Sequence, residues 1–393
     1  MNKNLRIAIF TDSFLPGTGG TENAVINMCY GLQNNGNIVK VYCPNYHRQY
    51  ENNKIDIFRV PSIKLSENDM AAFPSLVKNK LLKDVKNFNP DIIHFCTGSG
   101  MAKWATKIGK SLNIPVVGTI HTKFRDAFSD SIKSKLIVNM MLKSIANKLT
   151  KCQMVSVVGK CQIPDIKSYG YKKDNFIVIK NGVVLKEKDI CSQDDVTNIR
   201  TEFNIKDEMV FLYVGHVSKF KNIQFTLKSL YILKSKGYKN FKFLIVGDGP
   251  YRKKLNKLVK KYDLENNVIF VGLVKDRKRL NAIYQTASLF LFPSIFDNDT
   301  LVVCEAGLNN IPSLVLEETG ASERIKNNYN GFTSSHDHES FANRIIEIMT
   351  NETLYNSVKN NLSTLIPKDW NMVAKDYENF YNDAILKYKK DEK

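Results

Sequence analysis

Short apolar runs alternate with helical periodicity along the whole chain. In the first half Leu5–Phe10, Val39–Cys43, Asp91–Phe95, Val116–Ile120, Met154–Val158 and Phe176–Ile179 read as strands. In the second half Met209–Val214, Phe241–Val246, Val268–Val271, Ser288–Phe292 and Pro312–Leu316 do the same. Helical patterns fill the intervals: Glu22–Leu32, Leu76–Phe88, Trp104–Leu112, Ser131–Thr150, Asn222 to about Gly237, Tyr251–Tyr262, Arg277–Thr286, a helix from near Leu301, and most of Glu339–Ala384. Strand–helix alternation of this kind predicts α/β architecture with parallel, doubly wound sheets. A chain of 393 residues is long for one core and suggests two domains. The expected division is 1–182, an interdomain linker at 183–207, a second domain at 208–365, and a C-terminal helix at 366–393 placed to pack back on the first domain.

The stretch Phe292–Gly307 organises the second half. An apolar strand runs into Pro293, and a helix opens near Leu301; between them lie Asp297, Asn298 and Asp299. The amides that open a helix lack partners within it, and its dipole favours negative charge there. In open α/β sheets ligands bind at this edge, outside the carboxyl ends of the strands. Asp297 in the loop and Glu305 in the helix can therefore grip different parts of one extended ligand. Asp297 and Asp299 could instead merely cap the helix, but that leaves Glu305 unexplained among Val302, Val303 and Ala306.

Composition narrows the class. At 43% hydrophobic residues the chain can bury two cores, and no apolar run reaches the length of a bilayer span. The first ten residues enter a strand directly and lack a signal-peptide layout. Seven cysteines are scattered without Cys-x-x-Cys spacing, so they read as reduced thiols of a cytoplasmic protein. No metal site is expected: His336-Asp337-His338 lies in a polar loop without a spaced third ligand.

Charge changes the picture further. The net +18 is uneven: residues 1–182 hold 26 basic and 12 acidic side chains, the remainder 31 and 27. This asymmetry points to an anionic partner, membrane or nucleic acid. No nucleic-acid motif is recognisable, which leaves the membrane surface. In Ser131–Thr150 one face (Val138, Met141, Leu142, Ile145, Leu149) is assigned to the core. A second stripe (Ile132, Leu136, Met140) is flanked by Lys133, Lys135 and Lys143. Such a helix can lie on an anionic membrane, or be packed on both sides with its lysines solvated. A Gly-rich turn, Gly17 to Gly20, precedes the helix at Glu22 and lets backbone approach a phosphate.

The ordered set Gly19-Gly20-Thr21-Glu22, Pro90–His94, His121-Thr122, Val178–Gly182, Gly215–Asn222, Phe243–Pro250, Val268–Gly272, Ser288–Gly307 and Gly320–Phe332 resembles the retaining glycosyltransferases of family 4 (glycosyltransferase group 1). The resemblance implies the GT-B fold: two Rossmann-like domains facing a cleft, the second binding a nucleotide-sugar and the first taking most of the acceptor. The family's Glu-x7-Glu hallmark would be Asp297 and Glu305 here. By resemblance Glu305 meets the ribose hydroxyls, while Asp297 and the amides of Asn298, Asp299, Thr300 and Leu301 hold the donor sugar. The phosphate clamp would be Lys221, with His216 where the family has arginine, and Lys219 as a further charge. The Gly19 and Gly20 amides would assist. His121 would touch the sugar, or else be a core histidine ending a strand. Glu323 would meet the donor or cap a helix, and Leu273 and Val274 would line the base pocket.

The chemistry is consistent with those residues. Breaking a sugar–phosphate bond puts negative charge on the departing diphosphate, and Lys219, Lys221 and backbone amides can stabilise it without a metal or other cofactor. The expected function is transfer of a hexose from a UDP-linked sugar such as UDP-glucose, with retention, to a membrane lipid or lipid-linked envelope acceptor. The expected site of action is the cytoplasmic face of the membrane. A soluble or polysaccharide acceptor is the alternative, and a non-catalytic nucleotide-sugar-binding protein is a third reading.

Overall fold

The structure is a computed structural model and describes residues 4–15, 20–46, 54–64, 70–98, 100–184 and 190–391. The chain divides into two compact units, Met1–Val184 with Lys368–Lys393, and Leu185–Pro367. Among the described residues the first unit holds a seven-stranded parallel sheet. It is built from β1 (Arg6–Phe10), β2 (Ile38–Pro44), β3 (Asp56–Val60), β6 (Ile92–Phe95), β7 (Val116–Ile120), β8 (Met154–Val157) and β9 (Phe176–Val178), in the order β3-β2-β1-β6-β7-β8-β9. A short antiparallel pair, β4 (Ser62–Lys64) and β5 (Met70–Ala72), lies apart from it.

The central strands are mostly apolar because both faces are covered. In β1, Ala8 and Phe10 enter one core while Ile7 and Ile9 enter the other, the period-2 alternation of a strand. The second core is closed by two helices, Gly20–Asn34 and the long C-terminal helix Trp370–Asp391, through Val373, Tyr377, Phe380 and Tyr381. The terminal helix therefore belongs to the first unit although the second unit separates them in sequence. The helices approach so closely at Gly31 that a Cβ there would overlap the carbonyl oxygen of Trp370. Gly31→Ala is expected to cost roughly 1–3 kcal/mol, the usual range for overpacking. Urea denaturation followed by tryptophan fluorescence would check it, since Trp370 sits at the contact.

A buried polar chain ties the same helix to the sheet. His94 Nδ1 lies 2.8 Å from the Tyr381 hydroxyl and its Nε2 lies 2.7 Å from Thr119 Oγ1, which in turn bonds Ser156. Burial lowers the His94 pKa to about 3, with neighbouring His121 contributing, so the ring is neutral near pH 7 and matches hydroxyl partners rather than carboxylates.

The second unit repeats the plan. β10 (Met209–Val214), β11 (Phe241–Val246), β12 (Val268–Gly272), β13 (Leu289–Phe292), β14 (Ser313–Leu316) and β15 (Phe332–Ser334) form a parallel sheet in the order β12-β11-β10-β13-β14-β15. In each unit the strand order reverses beside the first strand, between β1 and β6 and between β10 and β13. Those switch points open a crevice at the carboxyl edge where ligands bind.

Two expectations need correction. The segment 183–207 is not a linker throughout: Gln193–Glu202 is a helix with a Ser192–Asp195 capping box, and Val196 and Ile199 lie in the second unit's core. Its charged exposed face masked the two core positions three residues apart. The strand β3 and the pair β4–β5 lie between Cys43 and Leu76, where the sequence reading assigns no element. Second, Ser131–Thr150 is not one helix. A short helix ends at Ser131, and the next runs Lys135–Leu149 with Ser134 as its N-cap.

That second helix buries Val138, Leu142, Ile145 and Leu149 and half-buries Met141. Ile132, outside it, packs partly against the core. Leu136, Ile137 and Met140 are 72%, 49% and 64% exposed, beside exposed Lys133, Lys135 and Lys143. At spacing i, i+1, i+4 they share one side of the helix. No helix among the described residues is long and apolar enough to cross a membrane.

Candidate functional site

At the second unit's switch point the chain leaves β10 through Gly215, whose φ of +153° suits glycine. The neighbouring turn after β11 needs Gly247, with φ +123°, because a Cβ there would overlap the carbonyl oxygen of Gly215. The β10 loop then carries His216 and Lys219, both exposed, and a 3-10 turn Lys219–Lys221. Asn222 closes that turn in the left-handed conformation, and its side-chain amide donates to the carbonyl of Pro293 at 3.2 Å. This bond ties the β10 loop to the β13 loop.

The two loops meet again at an ion pair. Lys221 Nζ stands 2.5 Å from Asp297 Oδ1, each side chain about a quarter exposed. Asp297 Oδ2 is buried and has no hydrogen-bond partner among the described residues. It is an acceptor awaiting a donor, which a buried polar atom otherwise meets only at a cost. Gly320 completes the loop: a Cβ there would overlap the Asp297 carbonyl oxygen, so only glycine lets the β14 loop cross under Asp297 and Asn298.

Asp299 points elsewhere. Its Oδ1 accepts from Arg324 Nε at 2.6 Å and Arg324 Nη2 at 2.5 Å, in a pair only 2% and 8% exposed. This pair locks the β13 loop to the 3-10 turn Ser322–Arg324, where Glu323 is half-buried. Thr300, buried, is the N-cap of the helix Leu301–Leu308 without a side-chain cap bond. Glu305, one turn into that helix, is 19% exposed at its side chain and bonded by Arg277 and by the Tyr284 hydroxyl. Leu273, after Gly272 at the end of β12, is 69% exposed.

The first unit's switch point shows a matching tie. Thr97, following β6, donates to Asp12 Oδ2 at 2.5 Å and accepts from the Asp12 amide at 3.0 Å, while Asp12 Oδ1 accepts from the Met101 amide. Lys148 donates to the Gly98 carbonyl at 2.9 Å, and burial lowers its pKa. His121 directly follows β7; burial lowers its pKa to about 4, so near pH 7 it is a neutral hydrogen-bonding ring rather than a cation. Gly20 opens the helix Gly20–Asn34, and a Cβ there would meet nothing within 4 Å among the described residues. Gly19 lies outside the described residues.

Two family models cover most of the chain. Residues 195–363 match the description "Glycosyl transferases group 1" and residues 18–187 match "Glycosyltransferase Family 4". The chain belongs to this glycosyltransferase family. The α-monoglucosyldiacylglycerol synthase of Acholeplasma laidlawii is 26% identical over 398 residues, covering 98% of this chain and 99% of that one. The synthase of that name from Streptococcus pneumoniae is 24% identical over 390 residues, covering 97% and 86%. Among solved structures, Anabaena HepE in complex with UDP superposes with a TM-score of 0.75 at 17% identity, covering 96% of this chain and 99% of that one. The fold of this glycosyltransferase is GT-B, with a Rossmann-like sheet in each unit.

Within this glycosyltransferase the structure brings Lys221, Asp297, Asn298 and Gly320 to one edge, with His216 and Lys219 on the same β10 loop. Asp299 is turned into a structural pair with Arg324. Sequence reasoning missed Arg324, Arg277 and Tyr284, because each acts on a carboxylate 21 to 28 residues away and no local pattern marks them. Among the described residues no group of His, Cys, Asp or Glu is arranged to hold a metal ion.

Proposed function

We propose that this glycosyltransferase moves a hexose from a UDP-linked sugar, with retention, to a hydroxyl of a diacylglycerol-type lipid at an anionic membrane. The observation that carries the lipid half is the helix Lys135–Leu149, with a solvent-exposed apolar stripe set among exposed lysines. Burying such a stripe in the headgroup region is favourable, and lysines add to it on an anionic leaflet. The net charge of +14 over residues 1–182 acts in the same direction. Two full-length relatives named as monoglucosyldiacylglycerol synthases support the acceptor class.

For the transfer itself, Lys221 is the proposed clamp on the departing diphosphate, with exposed Lys219 and the Gly20 amide as further positive or donor groups. His216 supplies hydrogen bonds where a permanent charge would be an arginine's role. Asp297 offers its unpartnered Oδ2 to a sugar hydroxyl. Its charge beside the sugar favours the oxocarbenium character of the transition state. With a diphosphate oxygen accepting the acceptor's proton on the leaving-group face, no protein nucleophile is required, and neutral His121 serves as a hydrogen-bond partner of the sugar. The Arg277-held carboxylate of Glu305 is assigned to the ribose, exposed Leu273 to the base, and the amides of Asn298 to Leu301 and Glu323 to the donor sugar.

The test is release of free nucleoside diphosphate from a panel of UDP- and GDP-sugars, with and without phosphatidylglycerol vesicles containing diacylglycerol. Release from one UDP-sugar that needs the vesicles is expected. Release indifferent to vesicles would move the acceptor to a soluble or polysaccharide class. Binding without release from any donor would favour a non-catalytic role.

A further inference from the structure

One helix, Arg277–Thr286, presents two side chains to Glu305. Arg277 opens it, behind the N-cap Asp276 that accepts from the amides of Lys278 and Arg279. Tyr284 lies seven residues on, so the two share a face. Arg277 Nη2 stands 3.0 Å from Glu305 Oε1, and the Tyr284 hydroxyl donates to Glu305 Oε2 at 3.1 Å. Tyr284 is fully buried with its ring against Phe290, so its hydroxyl is a fixed point. Arg277 is half-exposed.

This arrangement is specific in what it leaves open. An ionised carboxylate has about four acceptor sites, two on each oxygen. Arg277 uses one on Oε1 and Tyr284 one on Oε2. One site on each oxygen remains, and the two bonds hold the carboxylate against rotation. Two adjacent acceptors of fixed direction match a vicinal cis-diol, whose two hydroxyls donate in parallel. Holding them in place beforehand removes the ordering cost that a free glutamate would bear on binding. The ion pair has little to do with folding, because a pair whose arginine is half-exposed contributes little to stability.

We infer that Arg277 and Tyr284 are positioning residues that turn Glu305 into a clamp for the ribose 2′,3′-diol, so that discrimination between ribo- and 2′-deoxyribonucleotides passes through Arg277. This rests on the proposed donor being a nucleotide-sugar held by the second unit. Neither positioning residue needs to touch the reacting bond. Their loss weakens donor binding.

The experiment is calorimetric titration of the full-length protein and of Arg277→Gln, Arg277→Lys and Tyr284→Phe with UDP, GDP and their 2′-deoxy forms. The wild type is expected to bind the ribo form of its preferred nucleotide about tenfold or more tighter than the deoxy form, the scale of a lost hydrogen bond to a charged group. Arg277→Gln is expected to erase most of that ratio by weakening the ribo form alone. Arg277→Lys, which keeps a cation, should restore part of it, and Tyr284→Phe should also reduce it. An unchanged ratio in Arg277→Gln, or equal loss of both forms, overturns the inference and leaves the proposed function standing. A wild type that binds a diphosphate with no ribo preference overturns the inference and the assignment of Glu305 to the ribose, and leaves the transfer reaction standing. A wild type that binds none of the four nucleotides overturns both the inference and the proposed function.

Discussion

Lys221→Met is expected to lower turnover by about two to three orders of magnitude, the loss seen when one preorganised donor to a developing anion is removed. The side chain sits where the β10 and β13 loops meet, and its ammonium is engaged by Asp297 at 2.5 Å. A diphosphate arriving there must therefore displace a carboxylate or share the lysine with it. Asp297→Asn also lowers turnover, because the sugar loses a charged neighbour, but the two variants part company on product binding. Lys221→Met weakens nucleoside diphosphate binding by about tenfold or more, as a charge-assisted bond is lost. Asp297→Asn leaves that binding unchanged or tightens it, because the lysine no longer has an internal partner. Initial rates on the active donor together with titration of the free diphosphate would separate them. Turnover within threefold of wild type in Lys221→Met would remove the lysine from the clamp, and parallel loss of diphosphate binding in both variants would reduce the pair to a structural tie.

The second large effect concerns the membrane. Leu136→Glu with Met140→Glu is expected to weaken binding to phosphatidylglycerol vesicles by about a hundredfold or more, since burying each side chain is worth roughly 1.5–3 kcal/mol. Replacing Lys133, Lys135 and Lys143 by glutamine should act more weakly, near 1 kcal/mol per lysine. It should also blunt the salt dependence of what remains, because exposed charges are screened. Both apolar side chains are exposed, so the thermal midpoint should move little. Vesicle co-sedimentation at two salt concentrations is the measurement. Undiminished sedimentation of the double glutamate variant would show that this stripe is not the docking face. Transfer to a soluble acceptor, if one is accepted, should be unaffected, which separates docking from chemistry.

These predictions draw on two different kinds of information. The strands were legible because a parallel strand covered on both faces must be apolar along its length, as Ile7 to Phe10 and Phe211 to Tyr213 are. The loops at their carboxyl ends were legible because the chain turns there on glycine: Gly215, Gly247 and Gly320 each stand where a Cβ would be strained or would overlap neighbouring atoms. Together they made the family recognisable and placed Lys221 and Asp297 at one edge before any contact was known. The helix start at Lys135 was not legible, because Ser131 and Ser134 are equally good caps by type; in the structure Ile132 packs partly against the core and Ser134 caps the helix that follows. The helix Gln193–Glu202 was missed for a related reason: two buried residues on an otherwise polar turn carry a weak periodic signal.

What the sequence by itself determined is the order of strands and helices, the glycines at the turns and the residues that could meet a ligand. What only the tertiary structure decided is which charge answers which. Asp297 and Asp299 are two residues apart and alike in type, yet one meets Lys221 in a part-exposed pair and the other is sealed against Arg324. Glu305 is oriented by Arg277 and Tyr284 from another helix, and His94 is held by Tyr381, 287 residues away. Pairing depends on direction and distance after the sheets have formed, and a linear chain carries no record of either until its strands are laid side by side.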